Sequence, residues 1–323
     1  MTSRLLGRAA LLGAAAAAVH VALLLTAFNS TSGRSTFLEA WSDKHAHVLQ
    51  PGDHRIIFVG GSNVAFGVDS SIFERQTHRR TINLGLQGAI GLSHMLQEAT
   101  DVARAGDLVV VMPEYDEFFG DLMDGGLVVI YLLQSNRSAL KYVSTWPQWR
   151  ALSKHALLAN RMATMRRVDQ LKLFVRGTPA VDPGPIVYGR EGFDVHGDLL
   201  THLSMPPDVA RVRAACLPIE GDLNPRAFTA LSRSAEIVSK RGGQLVVIYP
   251  PFARTCWNIN RSHVETVAAS MPDHLARTTP FEWVYSDDAF LDTQYHLAGE
   301  GRQRHSIKLL AALAEWVGPL HPD

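Results

Sequence analysis

Cysteine is nearly missing from this chain. Two residues in 323, Cys216 and Cys256, are too few for a disulfide-stapled scaffold, and neither stands in a catalytic or zinc-binding pattern. Net charge is missing as well: 31 Lys and Arg against 31 Asp and Glu leave no basic stripe to follow a phosphate backbone, so no nucleic-acid partner is expected. No Gly-Lys-Ser/Thr marks a phosphate loop, and Gly60, Gly61 and Gly67 miss the spacing of a dinucleotide-binding turn. His45 and His47 have no third ligand nearby, so they read as a solvated face and no metal is assigned. A composition of 46% hydrophobic residues excludes a disordered chain.

One long apolar run is present. Ala9 to Phe28 carries no charge and only His20 and Thr26 as clearly polar side chains, enough to span a bilayer as a helix. Arg4 and Arg8 precede it, which places the body of the protein outside the cytoplasm. The segment TAFNSTSG makes a poor cleavage site, so an uncleaved anchor is favoured over a signal peptide. Residues 1–35 are therefore read as anchor and tether, with Asn29 to Ser35 as the tether. Such an anchor is expected to add nothing to the core, so a chain lacking about the first 33 residues should fold. An extracytoplasmic address permits a Cys216–Cys256 disulfide, although the sequence does not show that they meet.

Residues 36–323 read as one α/β domain. Ile56 to Val59 is a β-branched and aromatic run without polar alternation, the mark of a strand buried on both faces of a parallel sheet. It stops at Gly60-Gly61, which delivers Ser62 to the strand's carboxyl end, where ligands bind in open α/β sheets. Ser71 to Glu74 has the form of a capping box for a helix over about 72–77. Thr81 to Leu84 reads as a second strand and Leu92 to Ala103 as a helix ended by Gly106. Asp107 to Met112 is a third strand. A helix capped by Asn224 with Pro225 at its first position precedes a fourth, Gln244 to Pro250, and Glu282 to Tyr285 is a short fifth. From about 119 to 223 the strand pattern gives way to a helical insertion that forms a lid or one wall of a cleft. Within it, Arg161, Arg166, Arg167, Lys172 and Arg176 read as a solvated face, Pro179 to Gly192 as loop, and Tyr188 to Asp198 as a loop suited to face substrate.

The motifs carry a resemblance. Gly60-Gly61-Ser62-Asn63, with Gly67 beyond it, resembles the first block of the SGNH (GDSL-like) hydrolase superfamily, and Asp292-Thr-Gln-Tyr-His296-Leu297 before a last helix resembles its closing block. The resemblance implies a flavodoxin-like three-layer α/β/α fold with about five parallel strands. It makes Ser62 the nucleophile, His296 its general base and Asp292 the residue that orients the histidine. It assigns the oxyanion to the N–H groups of Ser62 and Gly88, with Gly85 as the alternative glycine.

Two departures stand out. The third block carries no asparagine but Pro113-Glu114-Tyr115-Asp116-Glu117-Phe118; Tyr115 is the expected substitute donor, because ionised carboxylates at Glu114 and Asp116 only accept. Asp292 also lies four residues before His296 where the family has three, which leaves Asp288, Asp287 or a Ser62–His296 dyad as alternatives. The G-G-S-N block with a P-E-Y turn resembles a membrane-anchored bacterial branch associated with envelope polysaccharides. The expected function is then an extracytoplasmic serine esterase or O-acetyltransferase, a hydrolase or acyltransferase acting on a cell-surface or exported polysaccharide beside a membrane-bound acyltransferase, with no cofactor required. The alternative is a catalytically silent SGNH-fold protein for polysaccharide binding or assembly.

Overall fold

The computed structural model describes residues 2–30, 36–52, 54–175 and 187–318. The tether at 31–35, Arg176 and most of the proline-rich loop at 176–186 lie outside the described residues, as do the side chains of Arg166, Arg167 and Lys172.

Four strands, β1 (Ile56–Gly60), β2 (Thr81–Asn83), β3 (Leu108–Met112) and β4 (Gln244–Val247), pair in parallel in the order β2-β1-β3-β4. Every residue of β1, β2 and β3 is buried, as their unbroken apolar runs require of strands covered on both faces. The helices Leu92–Val102 and Pro225–Lys240 pack on β1 and β4 and on each other, while Ser70–Thr77 packs on β2 and against Gly299–Ala312. The arrangement is α/β and compatible with three layers. The chain moves outward from β1 to β2 on one side and to β3 and β4 on the other, so the order reverses between β1 and β3, where such sheets open a crevice.

The five-stranded expectation holds only in part. Val284–Tyr285 (β6) does not extend the main sheet; it pairs in parallel with β5 (Phe252–Ala253) as a separate two-stranded sheet. Pro250 and Pro251 explain the break, since neither has an N–H with which to continue the β4 ladder. Capping also differs: Asp69, not Ser71, caps the helix Ser70–Thr77 by accepting from Ser71 N, and Glu74 instead accepts from Thr81 N at 3.0 Å. A disulfide joins Cys216 to Cys256 and ties the end of the insertion to the helix Arg254–Ser270.

The insertion leaves and rejoins the sheet domain at one place. Phe119 bridges Leu223, and Asn224 N donates to Phe118 O at 2.7 Å. Inside it, the helices Leu127–Ser135 and Trp146–Val175 pack against the N-terminal helix Thr2–Asn29. That contact corrects the reading of a helix outside the core. The run Ala10–Asn29 is long and apolar enough to cross a membrane, and only 11% of its apolar window is buried. Yet its last turn is inside: Ala27 and Phe28 join a cluster with Trp41, Ile130, Leu133 and Ala156. Side chains hold the backbone there, Gln134 donating to Ala27 O at 2.7 Å, Arg137 to Phe28 O at 2.9 Å and Asn160 to Leu23 O at 2.9 Å. A cut near residue 33 therefore removes core. His45 is also no solvated residue: it is buried, stacks on Trp41 and hydrogen-bonds Glu98 at 2.9 Å.

Candidate active site

Ser62 opens the short helix Ser62–Gly67 immediately after β1. Its neighbour across the crevice follows from register. Gly60 pairs with Met112, so Ser62 and Glu114, each two residues farther on, face one another. Ser62 Oγ donates to Glu114 Oε1 at 3.0 Å, Asn63 N donates to the same oxygen at 3.2 Å, and the Asn63 amide donates to Met112 O at 2.9 Å. Beyond β2 the ladder continues through Leu84 N to Phe58 O and Leu86 N to Gly60 O, which carries Gly88 to the same spot. A side chain there would have no room. A methyl on Gly61 would overlap Glu114 Oε1 and the Gly88 backbone, and one on Gly88 would overlap Glu114 Oε2.

His296 reaches this edge on a tight hairpin. Phe290 bridges Leu297, Leu291 N donates to His296 O at 2.7 Å, and the residues between form the loop. Its imidazole lies flat on Phe66, centroids 4.0 Å apart and planes 8° from parallel. Phe66 stands one helical turn after Ser62, on the same side of that helix. Leu297 also comes close to Gly67: a methyl placed on the glycine would stand 3.5 Å from the leucine Cδ1. The first and last motifs thus touch, 234 residues apart in sequence. Among the described residues no hydrogen bond joins Ser62 to His296; the Ser62 hydroxyl donates to Glu114.

Asp292 reaches the imidazole despite its unusual spacing. Its Oδ1 lies 2.8 Å from His296 Nδ1, and Tyr188 Oη donates to Oδ2 at 2.6 Å and lies 3.2 Å from Nδ1. Neither a helical turn nor an extended strand is used: Thr293 Oγ1 accepts from Tyr295 N and His296 N, a side-chain turn that absorbs the extra residue. Burial disfavours the Asp292 carboxylate, but hydrogen bonds from His296 and Tyr188, with the charge of Arg211, outweigh it and hold its pKa below the ordinary value. The other candidates are engaged elsewhere, Asp287 with Arg213 and Thr255 and Asp288 with Ser286.

Tyr115 is not brought to Ser62. Its ring is buried edge-on against Phe252 at 5.0 Å, and its hydroxyl has no partner among the described residues. The side chain at the third block's position beside the serine is Glu114. Burial raises its pKa, Asp116 adds to the rise, and Asn63 N–H, His296 and Ser62 oppose it. Its neighbour Glu117, fully buried, is pushed far above the carboxylate range by burial and by Glu114 itself. Gly85, the alternative glycine, has its N–H committed to Asn83 Oδ1 at 2.8 Å. Gly88 is the glycine at the serine.

A cleft of about 840 Å³ lies beside the couple, walled by Tyr188, Met205, Pro207, Arg211, Leu291 and Asp292. It touches the carboxylate end of the arrangement and not Ser62. Its size is that of a small-molecule site.

No family model, no curated protein and no solved structure matches the chain. The resemblance stated above rests on the residues themselves.

Three site residues escaped the sequence. Glu114 was read as an acceptor of no use to an oxyanion, although counting equal steps from the ends of β1 and β3 pairs it with Ser62. Tyr188 stood in a loop suited to substrate, without a role. Phe66 carried no signal beyond its place one turn after the serine.

Proposed function

We propose that this chain is a membrane-anchored, extracytoplasmic serine enzyme of SGNH type that cleaves or transfers an acyl ester, as a hydrolase or O-acetyltransferase acting on a cell-surface or exported polysaccharide. One observation carries the reading: the Asp292–His296 couple, with 2.8 Å between Oδ1 and Nδ1, lies against the helix that Ser62 opens, at the crevice between β1 and β3. Asp292 keeps the proton on Nδ1, which leaves Nε2 free to accept one. When the Ser62 hydroxyl turns from Glu114 to the imidazole, Oγ attacks the ester carbonyl and His296 takes its proton. The N–H groups of Ser62 and Gly88 face the oxyanion, and water or a sugar hydroxyl then resolves the acyl-enzyme. The disulfide and the two arginines before the apolar helix support the extracytoplasmic address. A membrane-bound acyltransferase is the partner such a transfer would use.

The second reading is a silent glycan-binding protein, favoured by the Ser62 hydroxyl's bond to a carboxyl group instead of to His296. The two separate in one experiment. Full-length protein in detergent is incubated with p-nitrophenyl acetate or an acetylated glycan, and intact mass is measured. An acetyl adduct absent from Ser62→Ala supports the enzyme, and an unmodified Ser62 with no turnover supports the binding protein.

A further inference from the structure

We propose that Glu114 is a catalytic residue that works as the neutral acid, donating its proton as a hydrogen bond to the oxyanion formed when Ser62 attacks. The inference rests on the enzyme reading above and gives its missing third donor a chemical identity. Geometry leads to it. The two hydrogen bonds that reach the Glu114 carboxyl from the serine's helix both land on Oε1, one from Ser62 Oγ and one from Asn63 N, while the Glu117 N–H on its own turn closes a capping box on the same carboxyl. The oxygen left to carry a proton is Oε2. It lies where a Gly88 side chain would stand, so the carboxyl packs directly on the glycine whose N–H serves the oxyanion in the proposed mechanism and, through Oε1, on the nucleophile. The absence of side chains at Gly61 and Gly88 makes this approach possible.

The surroundings favour the neutral form. From the serine's helix Glu114 faces only a hydroxyl and a backbone N–H. On its own turn it faces the carboxyls of Asp116 and Glu117, the latter accepting from Glu114 N at 2.9 Å. From the hairpin come the His296 imidazole, the one nitrogen base among the described neighbours, and the Tyr295 hydroxyl, which donates to Asp116 at 3.0 Å. Gly61 and Gly88 bring no charge. A carboxylic acid kept neutral by an apolar site and used as an oxyanion donor is known chemistry.

The step balances. Ser62 Oγ bonds to the acyl carbon, its proton passes to His296 Nε2, and the carbonyl electron pair moves to the oxygen that accepts the Glu114 hydrogen bond. On collapse the bond to the leaving alkoxide breaks, His296 returns its proton to that oxygen, and Glu114 keeps its own.

The test is kcat/KM for p-nitrophenyl acetate against pH, with full-length wild type, Glu114→Gln and Glu114→Ala. The wild type is expected to lose activity on the alkaline side as Glu114 ionises. Glu114→Gln, whose amide donates at every pH, should stay within about tenfold at neutral pH and lose that alkaline fall, while Glu114→Ala should drop by roughly 10² to 10³ in kcat. With turnover abolished by Ser62→Ala, the inference is overturned by a Glu114→Gln enzyme as slow as Glu114→Ala, faster than wild type, or still falling at alkaline pH. If Glu114→Ala does not fold, the comparison of wild type with Glu114→Gln decides alone. Absence of any Ser62-dependent turnover in the wild type overturns the enzyme reading and this inference with it.

Discussion

The sheet and the helical insertion hold their parts by different means, and the site reflects it. Around β1 and β3, backbone ladders set every position: Ser62 and Glu114 face each other because Gly60 faces Met112, and Gly88 arrives on the extension of β2. In the insertion, single side chains reach across to carbonyls, such as Gln134 to Ala27 and Asn160 to Leu23, and Leu157, Leu158 and Met165 stay exposed. Ladders specify position to fractions of an ångström, as bond-making groups require. The proposed nucleophile and its oxyanion donors accordingly ride on strand ends, whereas the insertion lends the Tyr188 hydroxyl and the charge of Arg211 to the Asp292–His296 couple and one backbone bond, Leu199 N to Ala65 O, to the serine's helix.

The largest effect is expected at the Asp292–His296 couple. Asp292→Asn should lower kcat by on the order of 10⁴, because the amide turns the imidazole to the wrong tautomer, while Asp288→Asn, at a carboxyl bonded to Ser286, should leave it unchanged. Steady-state kinetics on the two variants at equal thermal stability checks it, and equal activities would leave His296 without an orienting acid.

A smaller effect, on stability alone, tests the sheet. Arg55 and Asp107 form an ion pair with both side chains fully buried beside β1 and β3. Asp107→Ala leaves the guanidinium unpaired and should cost roughly 3 to 5 kcal/mol in urea unfolding, with the whole domain melting as one. Phe28→Ala should cost less, about 2 to 3 kcal/mol, because the site lies at the cluster's edge. Its loss should be confined to the insertion: hydrogen exchange should speed up in Leu127–Ser135 while β1 to β4 keep their protection. Uniform loss across both regions would mean that they form one cooperative unit.

The same contrast explains what the sequence made legible. Buried parallel strands are written as apolar runs with glycine or proline stops, so β1, β3 and β4 could be read directly, together with Ser62 at one end and His296 before the last helix. Pairing depends on partners far along the chain, so β6 was placed in the wrong sheet and the last turn of the N-terminal helix was read as outside the core. Glu114 shows the limit for chemistry. Residue type alone makes it an acceptor, and only its depth, the neighbouring carboxyls and its register against Ser62 suggest a donor. Tyr188 depends on a return path of more than a hundred residues to Asp292, which no local pattern encodes.

The smallest effect falls where the two regions meet. The Tyr188 hydroxyl donates to Asp292 Oδ2 at 2.6 Å, and the phenol is held neutral because burial and the carboxylate both push its pKa up. A hydrogen bond to a charged group contributes about 1.5 to 3 kcal/mol, but Asp292 keeps its bond from His296 and a more distant Arg211, at 3.8 Å, when the hydroxyl goes. Tyr188→Phe should therefore lower kcat by only about tenfold, with KM for a small ester little changed because the ring remains against Phe66 and Phe37. Phe28→Ala, which removes no hydrogen bond of the site, then becomes informative: if the insertion acts on chemistry only through Tyr188, loosening it should lower kcat by no more than Tyr188→Phe does, and the double variant should be no slower than the slower single one. A double variant slower by the product of the two would show that the insertion holds the site by a second route.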